Sequence, residues 1–136
     1  MTFALHPQLA ADTFPVGDLA LSAVLLMNDD RFPWVILVPR RANMRDLIDL
    51  DEADAGACSG EIRLVSRAMK ELFKPHKLNV AALGNMVPQL HIHIIARFAE
   101  DAAWPRPVWG VGEIRPYPEP LRAERIEMLR AALKIA

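Results

Sequence analysis

The chain has 136 residues, which suits one domain built around a single hydrophobic core. With 52% hydrophobic and 24% charged residues it has the composition of an ordinary globular protein, which excludes a disordered chain. A net charge of −1 and a pI of about 6.4 argue against general binding to nucleic acid or to an acidic membrane surface.

The cysteine content and the apolar runs bear on where the protein works. Cys58 is the one cysteine, so a disulfide within the chain is excluded, as is common in a reducing cytoplasm. The first nine residues lack the basic start and the long apolar core of a signal peptide. The longest apolar runs, Leu19–Met27 and Trp34–Pro39, are far too short to cross a bilayer. We therefore expect a cytoplasmic protein.

The first part of the chain predicts two neighbouring strands. Residues 1–18 have weak signals, with a short extended piece at 14–18 that ends in a turn. The apolar runs 19–27 and 34–38 are separated by the turn-prone cluster Asn28-Asp29-Asp30. They are interpreted as antiparallel strands joined by a polar loop.

Two helices are predicted after these strands. Residues 44–50 can form a short helix capped by Asn43. From Glu52 to Lys74, apolar residues recur in steps of four and three and form one stripe, which predicts the longest helix of the chain. Pro75 ends that helix.

The second half predicts two more strands and a last helix. Residues 78–83 are a third strand candidate, and a turn at 84–88 leads into a fourth at 87–97. The stretch from Trp104 to Pro120 is too rich in proline for a central strand or a helix and is interpreted as an ordered surface wrap. A final helix is predicted from about Leu121 to Lys134. Strands, a helix and further strands together predict an α+β domain with helices against an antiparallel sheet.

The strand at 87–97 carries two histidines on one face. Alternate residues of a strand point the same way, about 6.6 Å apart. Gln89, His91 and His93 therefore form one row, whereas Leu90, Ile92 and Ile94 form the opposite, apolar face. Two of the four histidines of the chain lie in this row, which makes it the candidate functional site.

Two kinds of site without catalysis fit this row. In one, both histidines are structural and each is hydrogen-bonded within a half-buried sheet. In the other, His91 and His93 offer two nitrogens to a zinc ion, which requires at least a third protein ligand. His76, Glu100 and Asp101 are the nearby candidates, but none has the spacing of a zinc motif.

A third kind of site is catalytic. A neutral imidazole can attack a phosphate and form a phosphoramidate that water then hydrolyses. A second imidazole on the same face can bond a phosphate oxygen or protonate the leaving group. The turn Gly84-Asn85, directly before the strand, would place N–H groups and an amide where charge builds on the oxygens.

These residues resemble the histidine triad (HIT) superfamily of nucleotide hydrolases and transferases. The motif of that family is His-φ-His-φ-His-φ-φ, with φ apolar, and here the corresponding residues are Gln89-Leu-His91-Ile-His93-Ile-Ile95. The order of elements agrees with the family from about Leu19 to Arg97. The triad motif is specific, so the chain is identified as a member of this family.

The resemblance implies roles for particular residues. The middle histidine of the motif is the nucleophile of the family, here His91, and the last, His93, contacts the phosphate. Asn28 lies where the family places a ribose-binding residue, and Asn85 lies in the pair that contacts phosphate. Asn79 corresponds to an asparagine that some members place near the nucleotide. The family mechanism requires no metal and no cofactor.

The chain departs from the family pattern at two positions. Gln89 occupies the first triad position and is predicted, with His91 and His93, to be a catalytic residue; it can form hydrogen bonds but cannot titrate. Trp34 stands where many members have a histidine that supports the nucleophile. A backbone carbonyl is therefore expected to orient His91.

Three further residues have two interpretations each. Arg97, at the end of the strand, either holds a phosphate or is a solvated strand end. Trp104 and Trp109, which flank Arg106, either stack on a base or cover the edge of the site, or they anchor the proline-rich loop.

The resemblance implies a HIT-like fold over residues 1–136, with an antiparallel sheet, a long and a short helix packed on it, and a C-terminal helix. Residues 19–97 form the core that carries the motif, and 98–136 form a proline- and tryptophan-rich wrap and the last helix. The implied function is attack on the α-phosphate of a nucleoside polyphosphate or AMP conjugate, through a nucleotidyl-histidine. The alternative is a nucleotide-binding dimer with little or no catalysis. A homodimer is expected in both cases, with no nucleic-acid or membrane partner.

Overall fold

The computed structural model describes residues 2–136; Met1, where the predicted domain begins, lies outside them. The strands are β1 Thr13–Asp18, β2 Ser22–Met27, β3 Trp34–Pro39, β4 Lys77–Ala81 and β5 Ile92–Arg97. The helices are α1 Pro7–Asp12, α2 Glu52–Phe73 and α3 Glu119–Leu133. All strand pairs are antiparallel, in the order β1-β2-β3-β5-β4. This confirms the predicted α+β fold.

Alternation along β5 separates two apolar layers. Ile92 and Ile94 pack with Val65 and Met69 of α2, so this face of the sheet belongs to the main core. Ile95 points the other way and packs with Trp34 in a second apolar cluster. Because successive strand residues alternate, the two histidines of the predicted row also lie on this second face, away from α2.

The histidine strand is shorter than predicted. Regular pairing begins at Ile92, opposite Leu37 of β3, so Gln89 lies outside the strand. Pro88 has no N–H to donate to a neighbouring strand. The N–H of Leu90 instead donates to the carbonyl of Met44 in the segment before α2.

The short helix predicted at residues 44–50 forms only as one turn of 3₁₀ helix, at Leu47–Asp49. Asn43 adopts a left-handed backbone conformation with φ 62° instead of capping a helix. The carboxylate of Asp49 accepts hydrogen bonds from the N–H groups of Arg45 and Asp46. Such side-chain bonds to nearby backbone compete with the helical pattern.

The other predicted elements are present with small shifts of their ends. The long helix ends at Phe73, and Lys74 follows it in a left-handed conformation. The Pro-rich segment, residues 104–118, has no strand or helix of its own. The helix α1 has no counterpart in the sequence prediction. Within residues 2–136, no helix is long and apolar enough to cross a membrane.

Candidate active site

Two buried histidines line a cavity beside β5. His93 lies in β5 and His91 directly before it, and each residue is only 6% exposed. Their ring centroids are 4.8 Å apart. Both line a cavity of about 390 Å³ on the sheet face opposite α2. The structure therefore brings together the two histidines of the predicted row.

A backbone carbonyl orients His91, as its sequence environment predicts. Its Nδ1 lies 2.7 Å from the carbonyl oxygen of Gln89. A carbonyl oxygen can only accept a hydrogen bond, so Nδ1 carries a proton. In the neutral ring, Nε2 then keeps its lone pair, which is the state that a nucleophilic imidazole requires.

Trp34 sets the opposite tautomer in His93. The indole Nε1–H of Trp34 donates to Nδ1 of His93 at 3.0 Å. Because an indole N–H can only donate, Nδ1 of His93 is unprotonated and its Nε2 carries the proton. Burial, together with the nearby His91, lowers the pKa of His93 to about 3. This ring therefore stays neutral near pH 7 and offers one N–H.

The walls of the cavity are mostly apolar. They come from α1, the end of β2, β3, the turn before β5 and the Pro-rich segment. The apolar residues include Leu9, Met27, Ile36, Val87 and Trp109. Asp12, Thr13 and Asn85 supply polar groups. An apolar cavity with a few polar groups beside paired histidines suits a small organic ligand whose polar part lies against the histidines.

The two tryptophans of the Pro-rich segment have different positions. Trp109 packs edge-on against His93, with ring centroids 5.0 Å apart, and lines the cavity. Trp104 instead lies against His76 and beneath the guanidinium of Arg97. Trp109 thus covers the edge of the site and Trp104 anchors the loop, whereas stacking on a base stays a prediction.

The turn between β2 and β3 holds the Pro-rich segment in place. The buried carboxylate of Asp29 pairs with Arg31 at 2.8 Å. The guanidinium of Arg31 also donates to the carbonyl of Val111 at 2.7 Å. The side-chain oxygen of Asn28 accepts from the N–H of Tyr117 at 2.9 Å. The hydrogen bonds at Val111 and Tyr117 hold the Pro-rich segment, which carries Trp109, against this turn.

The three asparagines predicted to contact a nucleotide are not brought together. Asn85 is exposed and lines the cavity. Asn28 holds Tyr117, and Asn79 accepts a hydrogen bond from Arg97 at 2.8 Å. Neither Asn28 nor Asn79 is a lining residue of the cavity.

Gln89 departs from the predicted row. Its carboxamide does not line the cavity that contains the two histidines. The side-chain oxygen accepts from the N–H of His6 at 2.8 Å, and the side-chain nitrogen donates to the carbonyl of Ala4 at 2.9 Å. Gln89 lies three residues before the start of β5, and its side chain is held by these two hydrogen bonds to the N-terminal segment.

Arg97 is neither a solvated strand end nor free to hold a phosphate. It is 2% exposed and pairs with Asp101 at 2.8 Å. Burial would raise the pKa of Asp101, but hydrogen bonds from Arg97 and from three backbone N–H groups lower it to about 2. The remaining guanidinium nitrogen donates to Asn79. This ion pair connects the end of β5 to the residues just before the Pro-rich segment.

The proposed third zinc ligands do not join the histidine pair. Asp101 is paired with Arg97, and His76 is exposed beside Trp104. In the part of the chain that the structure describes, no group of three or more His, Cys, Asp or Glu side chains could hold a metal ion.

Sequence reasoning missed the contribution of the N-terminal residues. Leu9 and Asp12 of α1 line the cavity, although residues 1–18 showed only weak patterns. The signal that could have located α1 is His6-Pro7, since proline favours the first position of a helix. The side chain of His6 caps the helix by accepting from the N–H of Gln8 at 3.0 Å.

Comparison with known proteins identifies the family. The sequence matches the family model of the HIT domain over residues 8–100. The chain belongs to the HIT family. The HIT superfamily includes nucleotide hydrolases and transferases, and its members bind nucleotides and often form dimers. Comparison with curated protein sequences found no match.

Solved HIT structures resemble this chain over nearly its whole length. A histidine triad protein from Bradyrhizobium japonicum is 50% identical, with a TM-score of 0.96 over 98% of this chain and 99% of that one. A histidine triad protein from Marinobacter aquaeolei VT8 is 47% identical, with a TM-score of 0.96 over 98% of both chains. One from Sinorhizobium meliloti 1021 is 40% identical, with a TM-score of 0.94 over 96% of this chain and 97% of that one. The predicted HIT-like fold is confirmed, and the similarity extends through the wrap and α3.

Proposed function

We propose that this HIT protein is a nucleotide hydrolase or transferase in which His91 attacks the α-phosphate of its substrate. The observation that carries the proposal is the pair of opposite ring tautomers, fixed by Gln89 and Trp34. One ring offers a lone pair at Nε2 and the other an N–H at Nε2. Nucleoside polyphosphates and AMP conjugates, such as dinucleoside polyphosphates and nucleoside phosphoramidates, are the proposed substrates.

In the first step, the Nε2 lone pair of His91 forms a bond to the α-phosphorus. The bond from phosphorus to the leaving oxygen or nitrogen breaks, and its electron pair stays with the leaving group, which takes up a proton from solvent. The ring of His91 becomes positively charged while it carries the nucleotidyl group. The carbonyl of Gln89 stabilises that charge through the Nδ1–H bond.

His93 contributes a hydrogen bond without a change of charge. Its Nε2–H donates to a phosphate oxygen, where negative charge builds in the transition state. Because the pKa of His93 is lowered to about 3, the ring acts here as a neutral donor.

In the second step, water attacks the phosphorus of the nucleotidyl-His91 intermediate. The bond from phosphorus to Nε2 breaks, and its electron pair returns to the ring. The products are a nucleoside monophosphate, free His91 and a proton released to solvent. If another nucleophile replaces water, the same intermediate leads to transfer.

The cavity supports a nucleoside position beside the phosphate. Met27, Ile36 and Trp109 supply apolar and aromatic surface for a base. Asn85 is the predicted nucleotide-contacting residue best placed for this, since it lines the same cavity. Contacts from Asn28 or Asn79 would require them to exchange their present hydrogen bonds for bonds to the nucleotide.

The test is turnover of a fluorogenic AMP conjugate. We expect release of AMP, and a loss of at least about a thousandfold in kcat for His91→Ala. His76→Ala is the matched control, because His76 is an exposed histidine away from the cavity. Rapid quench and mass spectrometry should find an AMP adduct on His91. Turnover that survives His91→Ala would contradict the proposal.

The same assay separates the alternative function. The carboxamide of Gln89 stands in the place of a triad histidine but is turned away from the cavity, which favours a nucleotide-binding dimer with little catalysis. Binding of AMP with no turnover of any conjugate would support that alternative.

A further inference from the structure

We propose that Gln89 is a positioning residue that connects the wall of the cavity to the nucleophile and does not itself touch the substrate. This inference rests on the function proposed for His91. It assigns to the first triad position a role other than the catalytic one that the sequence pattern predicts.

The side chain of Gln89 binds the segment before α1 at two points. Its oxygen accepts from the N–H of His6 and its nitrogen donates to the carbonyl of Ala4, at 2.8 and 2.9 Å. These partners are backbone groups two residues apart, one a donor and the other an acceptor. A carboxamide carries both a donor and an acceptor on one carbon, whereas a carboxylate offers acceptors only.

This segment fixes one wall of the cavity. His6 is the residue that caps α1, and α1 presents Leu9 and Asp12 to the cavity. Phe3 and Leu5 pack against the apolar cluster that contains Trp34. Holding Ala4 and His6 in place therefore holds the start of α1, and with it the cavity wall.

The backbone of the same residue orients the nucleophile. The carbonyl of Gln89 accepts from Nδ1 of His91 at 2.7 Å. Residue 89 thus connects two parts of the site, the α1 wall through its side chain and the tautomer of His91 through its main chain. A substitution at residue 89 changes the first connection and leaves a carbonyl for the second.

The separate contacts of the side chain and the main chain of Gln89 predict which kinetic parameter changes. In Gln89→Ala both hydrogen bonds to the segment are lost, so we expect the Kd for AMP and the KM for an AMP conjugate to rise about tenfold. We expect kcat to stay within about threefold, because the carbonyl that orients His91 remains. Gln89→Glu keeps the acceptor for His6 but loses the donor to Ala4, and should fall between Gln89→Ala and the wild type.

A pair of substitutions at His6 isolates one hydrogen bond. The backbone of His6 has φ −57° and ψ 135°, which proline can adopt. His6→Pro removes the N–H that Gln89 accepts, whereas His6→Ala keeps it; both lose the side-chain cap. His6→Pro should weaken AMP binding about fivefold more than His6→Ala. That difference should largely disappear when Gln89 is also replaced by Ala.

Three results would overturn the proposal. A fall in kcat with unchanged AMP affinity would place Gln89 at the reacting atoms. A lower Tm of Gln89→Ala, with AMP affinity and KM unchanged, would make its role merely structural. The third measurement is amide hydrogen exchange in the ligand-free protein. Exchange in residues 2–12 should be faster in Gln89→Ala than in the wild type, and an unchanged rate would exclude the connection to α1. If the wild type binds no AMP, the proposed function fails, and hydrogen exchange still decides the role of Gln89.

Discussion

Single neighbouring groups determine what the two histidines can do. His91 and His93 are two residues apart and equally buried, yet their ring nitrogens have opposite partners. One faces a carbonyl that can only accept, and the other faces an indole N–H that can only donate. The indole of Trp34 therefore leaves a defined donor at Nε2 of His93.

Replacement of Trp34 by Phe tests this arrangement. The aromatic bulk largely remains, but Nδ1 of His93 loses its donor, so the proton is no longer held at Nε2. We expect kcat for an AMP conjugate to fall about tenfold and the free energy of unfolding to fall by about 1–3 kcal/mol. The ¹⁵N NMR shifts of His93 should report a changed tautomer.

Trp104→Phe is the matched control for Trp34→Phe. Trp104 contacts His76 and Arg97, and no ring contact joins it to His93. Trp104→Phe should therefore leave the ¹⁵N shifts of His93 unchanged. Unchanged shifts in Trp34→Phe as well would contradict the tautomer assignment.

At the level of elements, one buried ion pair joins β5 to the chain that follows it. The side chains of Arg97 and Asp101 are 2% and 4% exposed. The guanidinium lies over the rings of Phe32 and Trp104, and the carboxylate accepts from the N–H groups of Phe98, Ala103 and Trp104. The ion pair therefore sets the direction of the chain between the end of β5 and the Pro-rich segment.

Asp101→Asn should destabilise the fold strongly. The substitution leaves a buried guanidinium without its counter-charge, and breaking such a pair costs about 3–5 kcal/mol. Asp18→Asn breaks the exposed pair with Arg40, whose atoms are 3.5 Å apart, and should cost less than about 1 kcal/mol. Urea unfolding measures both. Equal losses of unfolding free energy in the two variants would show that the buried Arg97–Asp101 pair stabilises the fold no more than the exposed Arg40–Asp18 pair.

The ion pair also predicts a pH dependence. The pKa of Asp101 is about 2 in the folded protein, below its ordinary value. Its contribution to stability is therefore complete above about pH 4 and is lost as the pH falls towards 2. The difference in unfolding free energy between the wild type and Asp101→Asn should narrow over that range.

At the level of the whole molecule, one edge of the sheet is suited to a second copy of the chain. β4 is an edge strand with β5 on one side only. Val80 in β4 and Leu83 after it are 46% and 49% exposed, and Leu64 on α2 is 39% exposed. Exposed apolar groups beside an unpaired strand favour association. We propose that the chain forms a homodimer and that the partner subunit packs against this edge.

Leu64→Glu tests the dimer. A charge on the exposed side of α2 should move the protein from dimer to monomer in sedimentation or light scattering, because burying an unpaired carboxylate is costly. Ile114→Glu is the matched control, since Ile114 is 53% exposed but lies in the Pro-rich segment. A wild-type monomer, or a dimer insensitive to Leu64→Glu, would contradict this interface.

The sequence alone determined the sheet, the long helix and the site strand. Apolar runs and periodic stripes report burial directly, so β2, β3 and α2 were predicted close to their observed bounds, whereas β5 was located but begins five residues later than predicted. The row of His91 and His93 follows from the alternation of a strand, and the triad motif identified the family. The pattern after Asn43 was misleading, because the carboxylate of Asp49 accepts from the N–H groups of Arg45 and Asp46 and only one 3₁₀ turn forms there.

Only the tertiary structure decided the partners of the polar groups. The hydrogen bonds of Gln89 join residues 83 and 85 positions apart, and the bond from Trp34 to His93 spans 59. Such pairings depend on how the elements pack and leave no periodic trace in the sequence. For the same reason the contributions of α1 and Trp109 to the cavity became visible only in the folded chain. The sequence located the nucleophile, and the fold determined which groups orient it.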